Sequence, residues 1–216
     1  MATGIVSIAI LLDGSETLSR ALLVVAAGGW LAGALLLLRG LAGRSWRRRA
    51  IASISSLTAV AGTAVLGTRL TLLGWSWAGW ALLAPATALC LVLLARLAGP
   101  HARPRSGSAF LVVVAPQSVS VLAASLAARL ALSWLAAAAV VPLAYGLRDY
   151  ARTLTRFDVR ELRMGAGDHW IAGGAIAIST LACADLARAT GVLRAPSGMH
   201  DLLRVATVVL WALTMA

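Results

Sequence analysis

Long apolar runs recur along the whole chain, and they constrain its fold more than any other feature. Several of these runs approach the length of a membrane span without a charged side chain, and 60% of the 216 residues are hydrophobic. An α-helix needs about 20 such residues to cross a bilayer. Because the runs continue to the end of the sequence, a signal peptide ahead of a soluble domain does not explain them. The pattern predicts an all-α polytopic membrane protein, with residues 1–216 as a single transmembrane domain.

Eight membrane spans are predicted, and short outer turns join the third to the fourth and the fifth to the sixth. The predicted bounds are residues 2–12, 21–38, 51–73, 78–98, 109–127, 130–147, 169–187 and 202–216. The chain therefore reads as consecutive helical hairpins. The first span would be only about 16 Å long at 1.5 Å per residue, and the last is still apolar where the sequence stops. We therefore expect a chain truncated at both ends.

Positive charge predicts the orientation of these spans. The formal net charge is +11, and every basic residue is an arginine. Most of the arginines fall in the loops that follow the second, fourth and sixth spans, which by the positive-inside rule places those loops and the N-terminus in the cytoplasm. Trp75, Trp77 and Trp80 cluster at the opposite interface, as in an aromatic belt. A plasma-membrane topology explains the charge without a nucleic-acid partner.

Hydroxyl side chains are unevenly divided between odd-numbered and even-numbered spans. The even spans contain only four serine and threonine residues, Thr87, Ser133, Thr207 and Thr214. The odd spans contain many more: Thr3, Ser7, Ser53, Ser55, Ser56, Thr58, Thr63, Thr68, Thr71, Ser118, Ser120, Ser125, Ser179 and Thr180. Polar groups in a bilayer face protein or water rather than lipid. This division predicts odd helices inside, around a central pore, and even helices outside.

Helical spacing gathers small and hydroxyl residues of the odd spans onto single faces. The stripes are Gly173, Ala177, Thr180 and Ala184; Ser56, Ala59, Thr63 and Gly67; and Gln117, Ser120 and Ala124. Two interpretations stay open. Small residues let helix backbones approach and hydroxyls bond across helices, which is ordinary packing. Alternatively, the stripes line a solute pathway.

Pro116 and the outer arginines are further candidates for the pathway. Proline within a helix frees a backbone carbonyl and kinks the helix, which suits either a cavity lining or a packing kink. Arg69, Arg129 and Arg188 lie near outer span ends, where they would attract anions or extend to the interface. Asp185, three residues before Arg188, is placed to pair with it.

Motifs for catalysis are missing from the sequence. There is no GxxxxGK[ST], no HExxH and no G-x-S-x-G, so neither ATP hydrolysis, nor metalloprotease chemistry, nor serine-hydrolase chemistry is indicated. Cys90 and Cys183 fall inside apolar spans and are interpreted as packing residues. We therefore expect neither an enzyme nor a bound cofactor or metal.

Four segments resemble the tellurite-resistance/C4-dicarboxylate transporter family, which is related to plant slow anion channels. They are MATGIVSIAI, AGTAVLGTRLTLLGW, VVAPQSVSVLAASLA and DHWIAGGAIAISTLA, and they occur in the family's order. The resemblance implies a ten-helix fold of five hairpins around a pore, assembled as a trimer. Relative to that fold, we expect the first helix to be incomplete and the last hairpin, which carries the gating phenylalanine, to be missing.

The resemblance also implies a transmembrane permease or channel for small anions such as C4-dicarboxylate, tellurite or sulfite. The implied pore-lining residues are Thr3, Gly4, Ser7, Gly62, Thr63, Gly67, Gln117, Ser118, Ser120, Gly173, Gly174, Ser179 and Thr180. The alternative is a non-conducting membrane scaffold or a truncated remnant of such a transporter. The expected partners are the lipid bilayer, small anions and further copies of the chain.

Overall fold

The structure is a computed structural model, and it describes residues 16–42, 56–97, 107–157, 170–193 and 197–215. These ranges fold into helices joined by turns and contain no strand, which confirms the all-α class for this part of the chain. The α-helices are α1 (Glu16–Ala42), α2 (Leu57–Leu72), α3 (Ser76–Arg96), α4 (Leu111–Leu130), α5 (Ser133–Leu154), α6 (Trp170–Val192) and α7 (Ser197–Met215). One 3-10 turn, Gly107–Phe110, leads into α4.

Helices α1 to α7 coincide with the second to eighth predicted spans, and the first predicted span lies outside the described residues. Within the described ranges, four helical stretches are long and apolar enough to cross a membrane: Glu16–Leu35, Ser76–Arg96, Ser108–Leu130 and Trp170–Val192. Helix α2 is apolar but has 16 residues, about 24 Å at 1.5 Å per residue. Eight spans were predicted, and length and composition support four of them. The other four stay predictions.

Two tight turns make helical hairpins. Leu73, Gly74 and Trp75 join α2 to α3, and Gly74 has a φ of 94°, a left-handed conformation that favours glycine. Ala131 and Leu132 join α4 to α5, where Leu132 N donates to Ala127 O at 3.0 Å. These short connections hold each pair of helices antiparallel, as the predicted outer turns require.

Helix α4 lies at the centre of the described helices and packs against α2, α3, α5 and α6. Every residue from Leu111 to Ala127 is buried. Its sequence explains this, because valine, alanine, leucine and serine are distributed around the whole helix without a charged face. A helix that is apolar on all sides is a buried helix.

Two glycines allow α2 and α3 to approach this central helix. A Cβ atom at Gly67 of α2 would stand 2.8 Å from Cδ2 of Leu122. A Cβ atom at Gly79 of α3 would overlap Oγ1 of Thr71 and stand 2.9 Å from Cδ2 of Leu126. Gly67 of α2 lies beside Leu122 of α4, and Thr71, one turn later in α2, lies near Leu126, one turn later in α4. These two helices therefore run parallel.

Helices α2, α4 and α6, which correspond to the third, fifth and seventh predicted spans, are neighbours in this arrangement. Helices α2 and α6 each pack on α4, while α3 contacts both α2 and α4, and α5 contacts both α4 and α6. Helices α2, α4 and α6 thus form a row, with α3 lying against α2 and α4, and α5 lying against α4 and α6. The closed ring and the central pore stay predictions.

Candidate functional site

The polar residues of α4 point toward two neighbouring helices. Ser120 is fully buried, and its Oγ donates to the carbonyl oxygen of Ala139 in α5 at 2.7 Å. Gln117, also fully buried, donates from Nε2 to the carbonyl oxygen of Leu143 at 3.3 Å. The described contacts of these two predicted lining residues are therefore to α5. Their role in lining a pathway stays a prediction.

Gln117 is the least satisfied of these polar groups. Its amide lies against Gly146 of α5, where no side chain competes for the space. Its Oε1 is buried, and no donor among the described residues reaches it. A buried acceptor without a partner is costly in a protein interior.

A second polar contact joins α4 to α6. Ser125 Oγ donates to Asp185 Oδ2 at 3.2 Å, and Arg188 Nη2 donates to Asp185 Oδ1 at 3.2 Å. The predicted pairing of Asp185 with Arg188 is thus confirmed. The part played by Ser125 was missed, because no sequence spacing relates residues of α4 to residues of α6.

A third set of polar contacts joins α2 to α1. Trp30 Nε1 donates to Thr63 Oγ1 at 2.9 Å, and Arg69 Nη2 donates to Ser19 Oγ at 2.7 Å. Arg69 is fully buried, and its predicted outer-mouth role stays a prediction. Thr63, a predicted lining residue, contacts a tryptophan of α1.

The three candidate outer-mouth arginines lie at the same end of the described helices. Arg69, Arg129 and Arg188 each fall in the C-terminal part of α2, α4 or α6, and the contact of Ser125 with Asp185 joins the C-terminal parts of α4 and α6. Arg129 and Arg188 are exposed, and Arg129 lies near the turn at Gly74. Two of the three cations are therefore accessible to a solute approaching this end.

Helix α6 turns one face of small residues outward. Gly173, Gly174 and Ala177 are exposed, and Thr180 is partly exposed. A Cβ atom at either glycine would meet no atom of the described residues within 4 Å, and the same is true of Gly62 in α2. This face leaves room beside it for a solute, for lipid or for another helix.

Most hydroxyl groups of these helices donate to the carbonyl oxygen one turn earlier in their own helix. The donors are Thr63, Thr68, Thr71, Ser118, Ser179 and Thr180, at 2.8 to 3.0 Å. Their oxygens keep lone pairs for a further donor. Because a hydroxyl hydrogen rotates freely, each group would have to turn from its carbonyl to donate to an anion.

Pro116 is buried within α4 and does not interrupt the helix. Thr3, Gly4 and Ser7, the lining residues expected in the first span, lie outside the described residues.

Cys90 and Cys183 are both buried and free, as expected of packing residues. Within the described ranges, no group of three or more His, Cys, Asp or Glu side chains is placed to hold a metal ion.

Comparison with known proteins finds no match for this chain, neither among protein-family models, nor among curated proteins, nor among solved structures. The class that the described residues define is an all-helical chain with four helical stretches able to cross a membrane.

Proposed function

We propose that the chain is a transmembrane permease or channel for small anions, such as C4-dicarboxylate, tellurite or sulfite. The observation that supports this proposal is that α2, α4 and α6, which correspond to the odd-numbered predicted spans, pack side by side. Exposed Arg129 at one end of this row supports it, because positive charge raises the local concentration of anions. The substrate class comes from the resemblance of these segments to the tellurite-resistance/C4-dicarboxylate transporter family.

The proposed path runs along the small-residue face of α6. An anion would enter at the end that carries Arg188 and pass Thr180, Ala177 and Gly174. Hydroxyl groups that rotate away from their carbonyl partners would supply donors, as the polar groups lining selective pores do. Further copies of the chain, as in a trimer, would enclose the path. The protein would reside in the cell membrane with its N-terminus in the cytoplasm.

Anion flux in proteoliposomes tests the proposal. The purified full-length chain would be reconstituted, and release of labelled malate, sulfite and chloride would be compared with release from protein-free vesicles. Labelled sodium would control for leakage. We expect faster release of at least one anion and unchanged sodium release. The absence of anion release from a helical, monodisperse preparation would contradict the proposal.

A non-conducting membrane scaffold is the second candidate function. The hydrogen bonds of Gln117 and Ser120 to the backbone of α5 favour it, because hydroxyl and amide bonds across helices are a common means of packing in membranes. If a folded chain moves none of the tested anions, that result favours the scaffold over the permease.

A further inference from the structure

A carboxylate, a guanidinium and a hydroxyl form a polar bridge between α4 and α6. Both oxygens of Asp185 are used, since Oδ2 accepts from Ser125 at 3.2 Å and Oδ1 accepts from Arg188 at 3.2 Å. Ser125 is buried, the Asp185 side chain is 17% exposed, and the Arg188 side chain is 49% exposed. The carboxylate therefore sits at the edge of the helix contact, with its counter-ion on the outer side.

Asp185 lies inside α6, away from the helix end, where a charged side chain is costly to bury. It lies seven residues before Val192, about 10 Å from the end of a helix long enough to cross a membrane. Its neighbours one turn away, Ala182 and Ala189, are buried and supply no polar group. Ionisable groups at such depth are costly unless paired, and they commonly mark a functional position.

We propose that Arg188 is the counter-ion that masks Asp185, so that the bridge between α4 and α6 carries no net negative charge beside the anion path. This inference rests on the proposed transport function. In this inference, Arg188 is not a free positive charge that attracts anions. Its charge is paired with the carboxylate of Asp185. Asp185 and Arg188 together then act as a specificity-determining pair, because an unmasked carboxylate would repel anions at this end.

Charge-neutral variants of the pair separate masking from packing. Arg188→Gln would leave the carboxylate unmasked, and Asp185→Asn would leave Arg188 without its counter-ion. The double variant would carry neither charge, while the introduced asparagine amide could still accept from Ser125. If the pair matters through charge, the double variant recovers what Arg188→Gln loses. If the pair matters only as a hydrogen-bonded link, the double variant recovers nothing.

The experiment measures anion release and the anion-to-sodium selectivity of proteoliposomes holding the wild type or each of the three variants. We expect Arg188→Gln to lower anion release about tenfold or more, since local fields change solute concentration at a mouth by about 10- to 1000-fold. Asp185→Asn should match or exceed the wild type, and the double variant should return to within about threefold of it. Equal losses in Arg188→Gln and the double variant, or no loss in Arg188→Gln, would overturn the inference.

Melting temperatures of the same four proteins separate this inference from the proposed function. If the wild type carries no anion, the transport proposal fails by itself. Masking is then supported when Arg188→Gln lowers the melting temperature and the double variant restores it. It is overturned when the double variant melts as low as Arg188→Gln.

Discussion

The side-chain amide of Gln117 lies directly on the backbone of Gly146. A Cβ atom at Gly146 would stand 2.6 Å from Nε2 of Gln117 and 2.8 Å from its Cδ, closer than side chains tolerate. The same amide donates to the carbonyl oxygen of Leu143, and Ser120 makes the next bond along the contact, to Ala139. A glutamine of the central helix and a glycine of α5 thus set the spacing of the hairpin.

Replacing Gly146 with alanine should destabilise the protein. The added methyl group would displace Gln117 from α5, and overpacking of this kind costs about 1 to 3 kcal/mol. The measurement is the thermal unfolding of the purified protein in detergent, followed by circular dichroism.

Gly173→Ala is the matched control for this substitution. Gly173 also lies in a helix, but a Cβ atom there would meet none of the described residues within 4 Å. We expect its melting temperature to equal or exceed that of the wild type, because alanine is the better helix former. Equal melting temperatures for the two alanine variants would show that Gly146 does not set the helix spacing.

Arg69 is expected to contribute to stability more than Arg129, although both lie at the same end of parallel helices. Arg69 is fully buried and donates to Ser19 of α1, whereas Arg129 is exposed. Hydrogen bonds of charged groups contribute about 1.5 to 3 kcal/mol, so Arg69→Gln should lower the melting temperature. Arg129→Gln should change stability by about 0.5 kcal/mol or less. A larger loss for Arg129→Gln than for Arg69→Gln would refute this ranking.

The two ends of α5 should be accessible from opposite sides of the membrane. Ser133 and Thr155 are both exposed and flank this helix. In a background where Cys90 and Cys183 are replaced by alanine, Ser133→Cys should react with an impermeant maleimide in intact cells. Thr155→Cys should react only after the membrane is permeabilised.

This labelling also tests the positive-inside orientation. A reversed pattern would place the N-terminus outside. Labelling of both cysteines in intact cells would show that α5 does not cross the membrane, and α5 is not among the four stretches that length and hydropathy single out.

The sequence predicted the helices well because each prediction needed only local information. The apolar runs located α1 to α7, but the gap between the fifth and sixth predicted spans, residues 128–129, lies in the last turn of α4, just before the observed turn at Ala131. Helix ends were less accurate. Helix α1 begins at Glu16, five residues before the predicted span. Its first turn consists mostly of polar residues, which an apolar run does not include.

The candidate site was less predictable because its contacts join residues distant in sequence. The pairing of Asp185 with Arg188 follows from helical spacing and was predicted correctly. The contacts of Gln117 with Gly146 and of Ser125 with Asp185 depend on which helix faces which, and no periodicity within one helix encodes that. The stripes on α4 therefore located polar residues without identifying their partners.

Flux through a matched pair of threonine variants tests the central claim, that the hydroxyl-bearing face of α6 lines an anion path. Thr180 donates to the carbonyl oxygen of Ile176, and Thr207 of α7 makes the same kind of bond to Leu203. Valine at either position preserves the shape and removes the hydroxyl group. We predict that Thr180→Val lowers anion release from proteoliposomes roughly fivefold, the equivalent of one hydrogen bond of about 1 kcal/mol, and that Thr207→Val leaves it unchanged. Equal release from the two variants and the wild type would contradict the claim.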